Sequence, residues 1–370
     1  MNLPYPATAA LVQPPAMDAN NTSSSTKTFR PAISYSLLAL AVTLFIFSPC
    51  LWLLARYHPG TFQWDRAHTF LLQCENPFRS DVESAMLWRL LPPIIAHGLG
   101  LRGYYPLVIP LVGVVVLLWY VFTVLFSRVA DVRFAFGGTL LLAASSGVLV
   151  PLHWFGMNDA WVWFALLATG FSASRYTLPL ACLLAPWIDE RYIIGLPLAL
   201  LVRFFDAGNT ISLRVLVTST LWLAPYAIIR LLGSFGSHAS DALGFFLNHA
   251  KSGVLVTIPW APLGWWMAFR LAWIPAIFAI RNKPWVLGLS CVITLIVMLL
   301  LAADISRSAA ILSPVILLGL LLFAKQQPEL AALYTLSLGL LNLLVPAAHV
   351  VSNRFALISP LPLEVWRLLR

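Results

Sequence analysis

Long apolar runs separated by short polar segments recur along this chain, and they limit the fold classes open to it. Of its 370 residues, 60% are hydrophobic and only 10% are charged, whereas about a quarter of the residues in a soluble domain are charged. Such a chain cannot cover a folded surface with polar groups, so it must fold in lipid. The runs lack the two-residue alternation of a membrane β-barrel, and they therefore predict helices.

The sequence predicts an all-α, polytopic membrane protein with about eleven transmembrane helices, in a range of about ten to twelve. The predicted spans cover residues 33–55, 104–126, 134–152, 160–171, 178–188, 192–205, 215–232, 254–280, 285–302, 308–324 and 330–351. Three of them have about a dozen residues, fewer than the roughly 20 that cross a bilayer, so re-entrant segments are an alternative. Residues 1–30 are predicted to be a disordered tail, and residues 31–370 a single transmembrane domain with a large first outer loop at 56–103 that contains interfacial helices.

The loops between these spans fall into two sets that differ in charge. One set is basic and carries Arg128, Arg133, Arg175, Arg214, Arg281, Lys283 and Lys325. The other set collects most of the carboxylates, and all seven histidines lie at or near it. Because basic loops stay in the cytoplasm, this division predicts a cytoplasmic N-terminus and puts the acidic loops on the outer face. The basic residues are dispersed rather than clustered, so they do not indicate a nucleic-acid partner.

The first outer loop is the longest polar interruption in the chain and the first candidate for a reaction site. Asp65 and His68 are three residues apart and would share one face of an interfacial helix. Asp81 and Glu83 follow, and Arg89 would lie two turns beyond Asp81 on a second helix. A carboxylate beside a basic group at the edge of a low-dielectric region stays ionised yet poorly solvated, which suits a general base. The alternative is a helix that only holds its charges among the lipid headgroups.

Further polar residues interrupt or flank the apolar runs. They are Asp304 and Arg307, which lie between two long apolar runs. Ionisable residues at this depth are costly and are candidates for function. For Asp304 and Arg307 the alternative is an ion pair between positions i and i+3 that caps the end of a helix.

Two stretches of the chain resemble GT-C-type integral membrane glycosyltransferases of bacteria. In the first outer loop the resemblance rests on Asp65 with His68, Asn76-Pro77-Phe78 and Trp88-Arg89-Leu90-Leu91-Pro92. In the second stretch, Asn158 and Asp159 open a span, and Glu190 follows about a helical hairpin later. Arg191 comes after this acid, where the family usually has a base before it.

The resemblance implies an enzyme of the bacterial inner membrane whose partners are membrane lipid and a polyprenyl-phosphate-linked sugar. The sugar would pass to an acceptor on the outer face. Asp65 would be the general base, with Asp81 as the other candidate. The groups that neutralise the departing phosphate would be Arg89, Arg191 and Arg307. Further substrate-binding roles would fall to His68, Glu83, Asn158, Asp159, Glu190 and Asp304.

Other functions are compatible with the same sequence. A secondary transporter or a translocase of lipid-linked sugars would show an internal repeat and ionisable groups near mid-membrane, and neither is clear here. A non-catalytic assembly partner would keep the fold without the activity. No cofactor is predicted; a divalent cation held by Asp65, Asp81 and a histidine is an alternative that no ligand spacing supports.

The predicted topology can be tested by labelling cysteines introduced at Ser80 and Ser127, after replacement of the four native cysteines. Because the two positions fall in loops of opposite charge, a membrane-impermeant maleimide applied from outside should label position 80 and leave position 127 unmodified. Detergent-solubilised protein, in which both positions should react, is the control. Labelling of both positions from one side would contradict the assignment of the two faces.

Overall fold

Helices make up most of the structure. The computed structural model describes residues 25–55, 64–79, 81, 86–206, 213–233, 253–302 and 304–370. In the first half of the chain the helices are α1 (Ser25–Ile46), α2 (Leu51–Ala55), α3 (Asp65–Glu75), α4 (Leu91–Gly98), α5 (Val108–Val129), α6 (Val132–Ala143), α7 (Ser146–His153), α8 (Asp159–Phe171), α9 (Thr177–Leu184) and α10 (Arg191–Asp206).

The second half of the chain continues the helical pattern and adds a small sheet. Its helices are α11 (Leu213–Thr220), α12 (Ala224–Gly233), α13 (Val254–Thr257), α14 (Ala261–Phe269), α15 (Trp273–Asn282), α16 (Trp285–Leu301), α17 (Ile305–Ala309), α18 (Ser313–Gln326), α19 (Pro328–Leu344) and α20 (Leu361–Leu369). Before α20, strands β1 (Ala348–Val351) and β2 (Arg354–Leu357) pair as an antiparallel hairpin.

Every predicted span contains an apolar helix. Four helical segments among the described residues are long and apolar enough to cross a membrane: Tyr105–Val129, Val215–Leu232, Val254–Asn282 and Ile305–Gln326. The helices α6 and α7 would make a fifth if their 54° bend lies within one crossing. These lengths indicate a membrane protein, and the number of eleven crossings stays a prediction.

The end of the last predicted span, residues 330–351, is not helical. Helix α19 ends at Leu344, and Val345 takes an extended conformation (φ −80°, ψ 123°). Pro346 follows it, and a proline disfavours helical backbone in the residue before it. The chain then forms the β1–β2 hairpin, which is the exception to an otherwise helical fold.

Helices α6 and α19 approach each other closely at two glycines. A Cβ atom on Gly137 would lie 2.6 Å from the Cα atom of Leu336, and one on Gly339 would lie 2.6 Å from the backbone oxygen of Gly137. Small residues permit such backbone contact between membrane helices, where close packing drives association. The two glycines therefore determine how near α6 and α19 can come.

Residues that the sequence assigns to the basic face meet in the structure. Arg128, in the last turn of α5, pairs with Asp206 at the end of α10, with 2.7 Å between Nη2 and Oδ2. Lys283, just beyond α15, has its Nζ 5.4 Å from the ring of Phe205. Three loops that the charge pattern puts on one side are thus neighbours.

A buried arginine lies where several helices end. Arg270, between α14 and α15, has no exposed surface and a φ of +52°, a backbone conformation that costs a non-glycine residue about 1–3 kcal/mol. Its guanidinium donates to the backbone oxygen of Val345 at 2.9 Å and to that of Ala144. These residues follow the ends of α19 and α6, where carbonyl groups lack a partner within the helix. Arg270 thereby serves as a cap for two helices at once.

Replacement of Arg270 by methionine should lower the stability of the fold. Methionine fills part of the space but leaves two buried carbonyl groups without their donor, and a hydrogen bond from a charged group contributes about 1.5–3 kcal/mol. We expect a clear fall in the melting temperature of the detergent-purified protein, followed by tryptophan fluorescence. Arg281→Met, at an exposed position of α15, is the control and should change little. Equal melting temperatures for both variants would contradict the capping role.

Candidate functional site

Charged residues that the sequence assigns to the outer face come together from distant parts of the chain. Asp159 opens α8, Asp189 and Arg191 form the turn into α10, Arg307 lies in α17, and Arg89 precedes α4. The first four are buried, and Arg89 is half-buried. Five charged side chains from four segments thus form one cluster.

Asp159 is the acceptor at the centre of this cluster. Its Oδ1 accepts hydrogen bonds from Nη2 of Arg191 and, at 3.0 Å, from Nη2 of Arg307, while its Oδ2 accepts from Nε of Arg307. A buried carboxylate is costly unless it is both paired and hydrogen-bonded, and the two guanidinium groups meet both conditions. In return, the carboxylate fixes the orientation of both arginines.

Asp189 links the same arginines to the first outer loop. Its Oδ1 accepts from Nε of Arg191 at 2.8 Å and its Oδ2 from Nη2 of Arg191 at 2.6 Å, and Nη2 of Arg89 lies 2.9 Å from Oδ2. Burial opposes the ionisation of Asp189, but the charges of Arg191 and Arg89 outweigh it and hold its pKa well below the ordinary value. Asp189 is therefore a permanent anion that positions arginines rather than a group that exchanges protons.

A cavity of about 340 Å³ adjoins the cluster, and we call it the arginine cavity. The charged side chains that line it are five arginines and three carboxylates: Arg66, Arg89, Arg191, Arg230, Arg307, Asp189, Glu190 and Asp304. Its apolar wall includes Met86, Trp154, Met298, Leu301 and Val351. The excess of positive groups over negative ones favours an anionic ligand.

The positive charge around this cavity acts on Arg66. Burial, together with the nearby charges of Arg307 and Arg89, lowers the pKa of its guanidinium to about 10, whereas arginine ordinarily has a pKa above about 12. A bound anion would relieve this repulsion. A phosphate oxygen, which accepts charge-assisted hydrogen bonds from guanidinium groups, fits the requirement well.

Trp154 connects Asp65 with the arginine cavity. Its indole Nε1 donates to Oδ1 of Asp65 at 2.5 Å, and its ring lies 5.8 Å from the guanidinium of Arg66 and 5.9 Å from that of Arg307. The backbone N–H of Arg66 donates to the same Asp65 oxygen at 2.6 Å. These bonds fix the Asp65 carboxylate behind two residues of the cavity lining, Trp154 and Arg66, while Asp65 itself is not among the lining residues.

Asp304 caps a helix and also lies at the candidate site, and these are the two alternatives that the sequence left open. It caps α17, because its Oδ1 accepts from the backbone N–H of Arg307 at 3.1 Å, and its Oδ2 lies 3.8 Å from Nη1 of the same residue. It also lines the arginine cavity, and burial raises its pKa to about 6. A carboxyl group with such a pKa is a second candidate for proton exchange with a substrate.

Asp81 lies away from this cavity. Its side chain is 67% exposed and pairs with Arg79, with 2.6 Å between Nη2 and Oδ2. The hydrogen bond from Arg79 lowers the pKa of Asp81 to about 2, which makes it a weak base. Arg89 lies in a non-helical segment, although the sequence predicts it on a helix; residues 82–85, between it and Asp81, lie outside the described residues. Among the described residues no group of three or more histidine, cysteine or acidic side chains is arranged to hold a metal ion.

The remaining predicted site residues differ in where they lie. Glu190 lines the cavity, but its carboxylate is partly exposed and comes no closer than 3.9 Å to two arginines. Asn158 lines a narrow gap next to Asp159. His68 follows Asp65 by one turn of α3, as the spacing predicts. Glu83 lies outside the described residues.

Sequence reasoning misses four residues of this site: Asp189, Arg66, Arg230 and Trp154. Asp189 and Arg66 stand next to predicted residues, so proximity in sequence is the signal that could have found them. Arg230 is a charge within an apolar run, which is a mark of function or of a helix end. Trp154 is one of 15 tryptophans, and nothing in its sequence surroundings distinguishes it.

Relatives give no further guide to the function of this site. Comparisons with protein-family models, with curated proteins and with solved structures return no match. What the protein does must therefore be inferred from the chemistry of the cluster and its cavity.

The buried ion network predicts a contrast between two arginine variants. Arg191→Met would leave Asp159 and Asp189 buried without a main partner, and such a loss typically costs about 3–5 kcal/mol. Arg128→Met removes the partner of Asp206 in a pair whose two side chains are 42% and 13% exposed, so water can solvate part of the charge that is left and the loss costs less. We expect the melting temperature to fall strongly in the first variant and little in the second. A comparable fall in both would show that burial does not set the strength of the network.

Proposed function

We propose that the protein is an integral membrane glycosyltransferase of the GT-C type, which moves a sugar from a polyprenyl-phosphate donor to an acceptor on the outer face of the bacterial inner membrane. A cytoplasmic N-terminus and about eleven crossings belong to the proposal, in line with the basic loops on one side. The observation that carries it is an arginine-rich cavity next to an apolar groove.

The apolar groove is a space of about 640 Å³ lined almost entirely by apolar side chains, among them Leu91, Ile95, Val112, Phe164 and Leu180. Ile188 lines this groove and also a small gap shared with Arg89 and Asp189. Those two residues in turn line the arginine cavity. A lipid with a hydrocarbon chain and a phosphate headgroup would find an apolar and a basic compartment side by side.

In the proposed reaction, the arginines of the cluster bind the phosphate of the donor lipid. Arg191 and Arg307 are held in place by buried carboxylates, so little conformational freedom is lost when they bind an anion. The Nε of Arg89 has no hydrogen-bond partner among the described residues, and a phosphate oxygen would satisfy it. Arg66 adds a further positive charge at the same cavity.

The proposed reaction is a single displacement at the anomeric carbon of the donor sugar. The carboxylate of Asp65 takes the proton of the acceptor hydroxyl, and the hydroxyl oxygen forms a bond to the anomeric carbon of the donor sugar. The bond from that carbon to the phosphate oxygen breaks, and its electron pair leaves with the lipid phosphate. The arginines offset the charge that develops on the leaving group. One general base is enough for this single displacement.

A secondary transporter or a translocase of lipid-linked sugars is the rival function. Such proteins bind their substrate near mid-membrane with discontinuous helices. Here the buried charges of the candidate site fall between the predicted spans rather than within them, as Asp159, Arg191 and Asp304 do. That arrangement favours a reaction at one face of the membrane.

Sugar transfer in proteoliposomes, with a panel of radiolabelled polyprenyl-phosphate sugars, tests the proposal. Loss of a general base typically lowers a rate by about 10²–10⁴-fold, so Asp65→Asn should lose most of the transfer seen in the wild type. Asp81→Asn, the same change at the exposed carboxylate, is the matched control and should keep it.

Three other outcomes would alter the conclusion. Transfer that survives Asp65→Asn but is lost in Asp304→Asn would move the role of base to Asp304. Transfer that is lost only in Asp81→Asn would make Asp81, the other candidate predicted from the sequence, the general base. Absence of transfer, with labelled sugar crossing the bilayer instead, would establish the transporter.

A further inference from the structure

A second cavity lies beside the β1–β2 hairpin, and we call it the hairpin cavity. It has a volume of about 630 Å³, and its lining includes Cys50, His153, His349, Phe355, Glu364 and Arg367. The segment after β2 is anchored over it by a hydrogen bond from the backbone N–H of Ser48 to the backbone oxygen of Ser359 at 2.9 Å. None of these residues belongs to the arginine cavity.

Two deeply buried polar side chains at this cavity have unused hydrogen-bonding capacity. Glu364 is 2% exposed; its Oε1 accepts from Nη1 of Arg367 at 2.8 Å, and its Oε2 has no partner among the described residues. His153 is 4% exposed, with its Nε2 3.1 Å from the backbone oxygen of Phe47 and its Nδ1 without a partner in the same part of the chain. Buried polar atoms left in this state are costly, which points to a ligand that satisfies them.

The two unsatisfied atoms are both acceptors, and this limits the chemistry of the ligand. The 3.1 Å contact with the backbone oxygen of Phe47 assigns the ring proton of His153 to Nε2, and this assignment leaves Nδ1 as an acceptor. The carboxylate of Glu364 accepts as well. The ligand must therefore bring donors such as hydroxyl groups.

The charges at the hairpin cavity come from two exposed arginines, Arg354 and Arg367, and one buried carboxylate, Glu364. Arg367 is paired with Glu364, so these two charges largely offset each other, and Arg354 disfavours a cation. Burial lowers the pKa of His349 to about 3, so this imidazole adds no charge. A neutral polyhydroxyl compound brings hydroxyl donors to the two acceptors without placing a further charge beside Glu364, and the ring of Phe355, 40% exposed, offers an apolar surface for a sugar face.

The hairpin cavity and the arginine cavity share one side chain. Val351 lines both, and it packs against Val150, Trp154 and Met157. His153, in the wall of the hairpin cavity, directly precedes Trp154, which lines the arginine cavity and bonds Asp65. A single layer of side chains, which includes Val351, thus separates a molecule in the hairpin cavity from the candidate reaction site.

We propose that the hairpin cavity binds a neutral carbohydrate, with Glu364, His153 and Phe355 as its main contacts, and that this carbohydrate is the acceptor of the transfer reaction. The binding of a sugar is argued from the residues of this cavity alone. Its identity as the acceptor rests on the proposed function.

Protection of Cys50 from alkylation measures sugar binding without any assay of transfer. Cys50 lines the hairpin cavity and is half-buried, whereas the other three cysteines are buried, so N-ethylmaleimide should modify Cys50 first. The probes are methyl β-glucopyranoside, methyl β-galactopyranoside and methyl α-mannopyranoside, titrated against the full chain in lipid nanodiscs. At least one should slow the labelling of Cys50, and Glu364→Gln should raise its apparent dissociation constant by about tenfold, as expected for one lost charge-assisted hydrogen bond.

Two further variants keep the test decisive. Phe355→Ala changes an exposed side chain and should weaken protection without disturbing the buried groups, and Glu329→Gln, an exposed carboxylate on α19, should leave protection unchanged. No protection by any of the three probes, or equal protection in the wild type, Glu364→Gln and Phe355→Ala, would overturn the proposal.

The assignment as acceptor site is tested separately through transfer to water. Hydrolysis of the polyprenyl-phosphate sugar needs the donor site alone, so Glu364→Gln should keep hydrolysis while transfer to the protecting methyl glycoside falls. Equal loss of both activities would overturn the acceptor assignment. A wild type that binds the glycoside but neither hydrolyses nor transfers would refute the proposed function and, with it, the acceptor role, and would leave a carbohydrate-binding cavity.

Discussion

The buried network of Asp159, Asp189, Arg191 and Arg307 is the interaction on which the arrangement of α8, α10 and α17 depends. Asp159 and Arg307 are 148 positions apart in the chain, and yet each is the partner that makes burial of the other tolerable. A buried ion pair adds little net stability compared with apolar residues of the same size, but loss of one member leaves a charge that the interior cannot solvate. The network therefore acts chiefly by excluding other arrangements of α8, α10 and α17.

The same network explains why a cavity persists next to it. Guanidinium groups held by two carboxylates cannot fold back to fill the neighbouring space, so the positive groups stay at its wall. Helix starts contribute too, since their backbone N–H groups favour the acidic residues found there. A basic pocket near an apolar groove is thus a consequence of how the helices are joined.

Much of this organisation could be predicted from the sequence, because it depends on local composition. Apolar runs indicated the positions of the helices, the place of Asp304 and Arg307 between two apolar runs indicated a functional pair, and the resemblance to GT-C-type glycosyltransferases added Asp159 and Arg191. The choice between Asp189 and Glu190 could not be made this way: two adjacent acids in a turn have no periodicity to distinguish them, and only contacts with distant arginines do. The hairpin was not predicted, because β1 continues the apolar run of α19 in the sequence. Pro346 ends the helix within this run, since a proline disfavours helical backbone in the residue before it.

The hairpin is attached to the segment that carries Arg307. The backbone N–H of Val350 donates to Oγ of Ser306 at 3.1 Å, and Val351 forms an antiparallel bridge with Asp304. A shift of β1 therefore pulls on the first turn of α17, and Arg307 cannot keep its position relative to Asp159 when that turn moves. A displacement of β1 would therefore change the distance between two buried charges, those of Arg307 and Asp159.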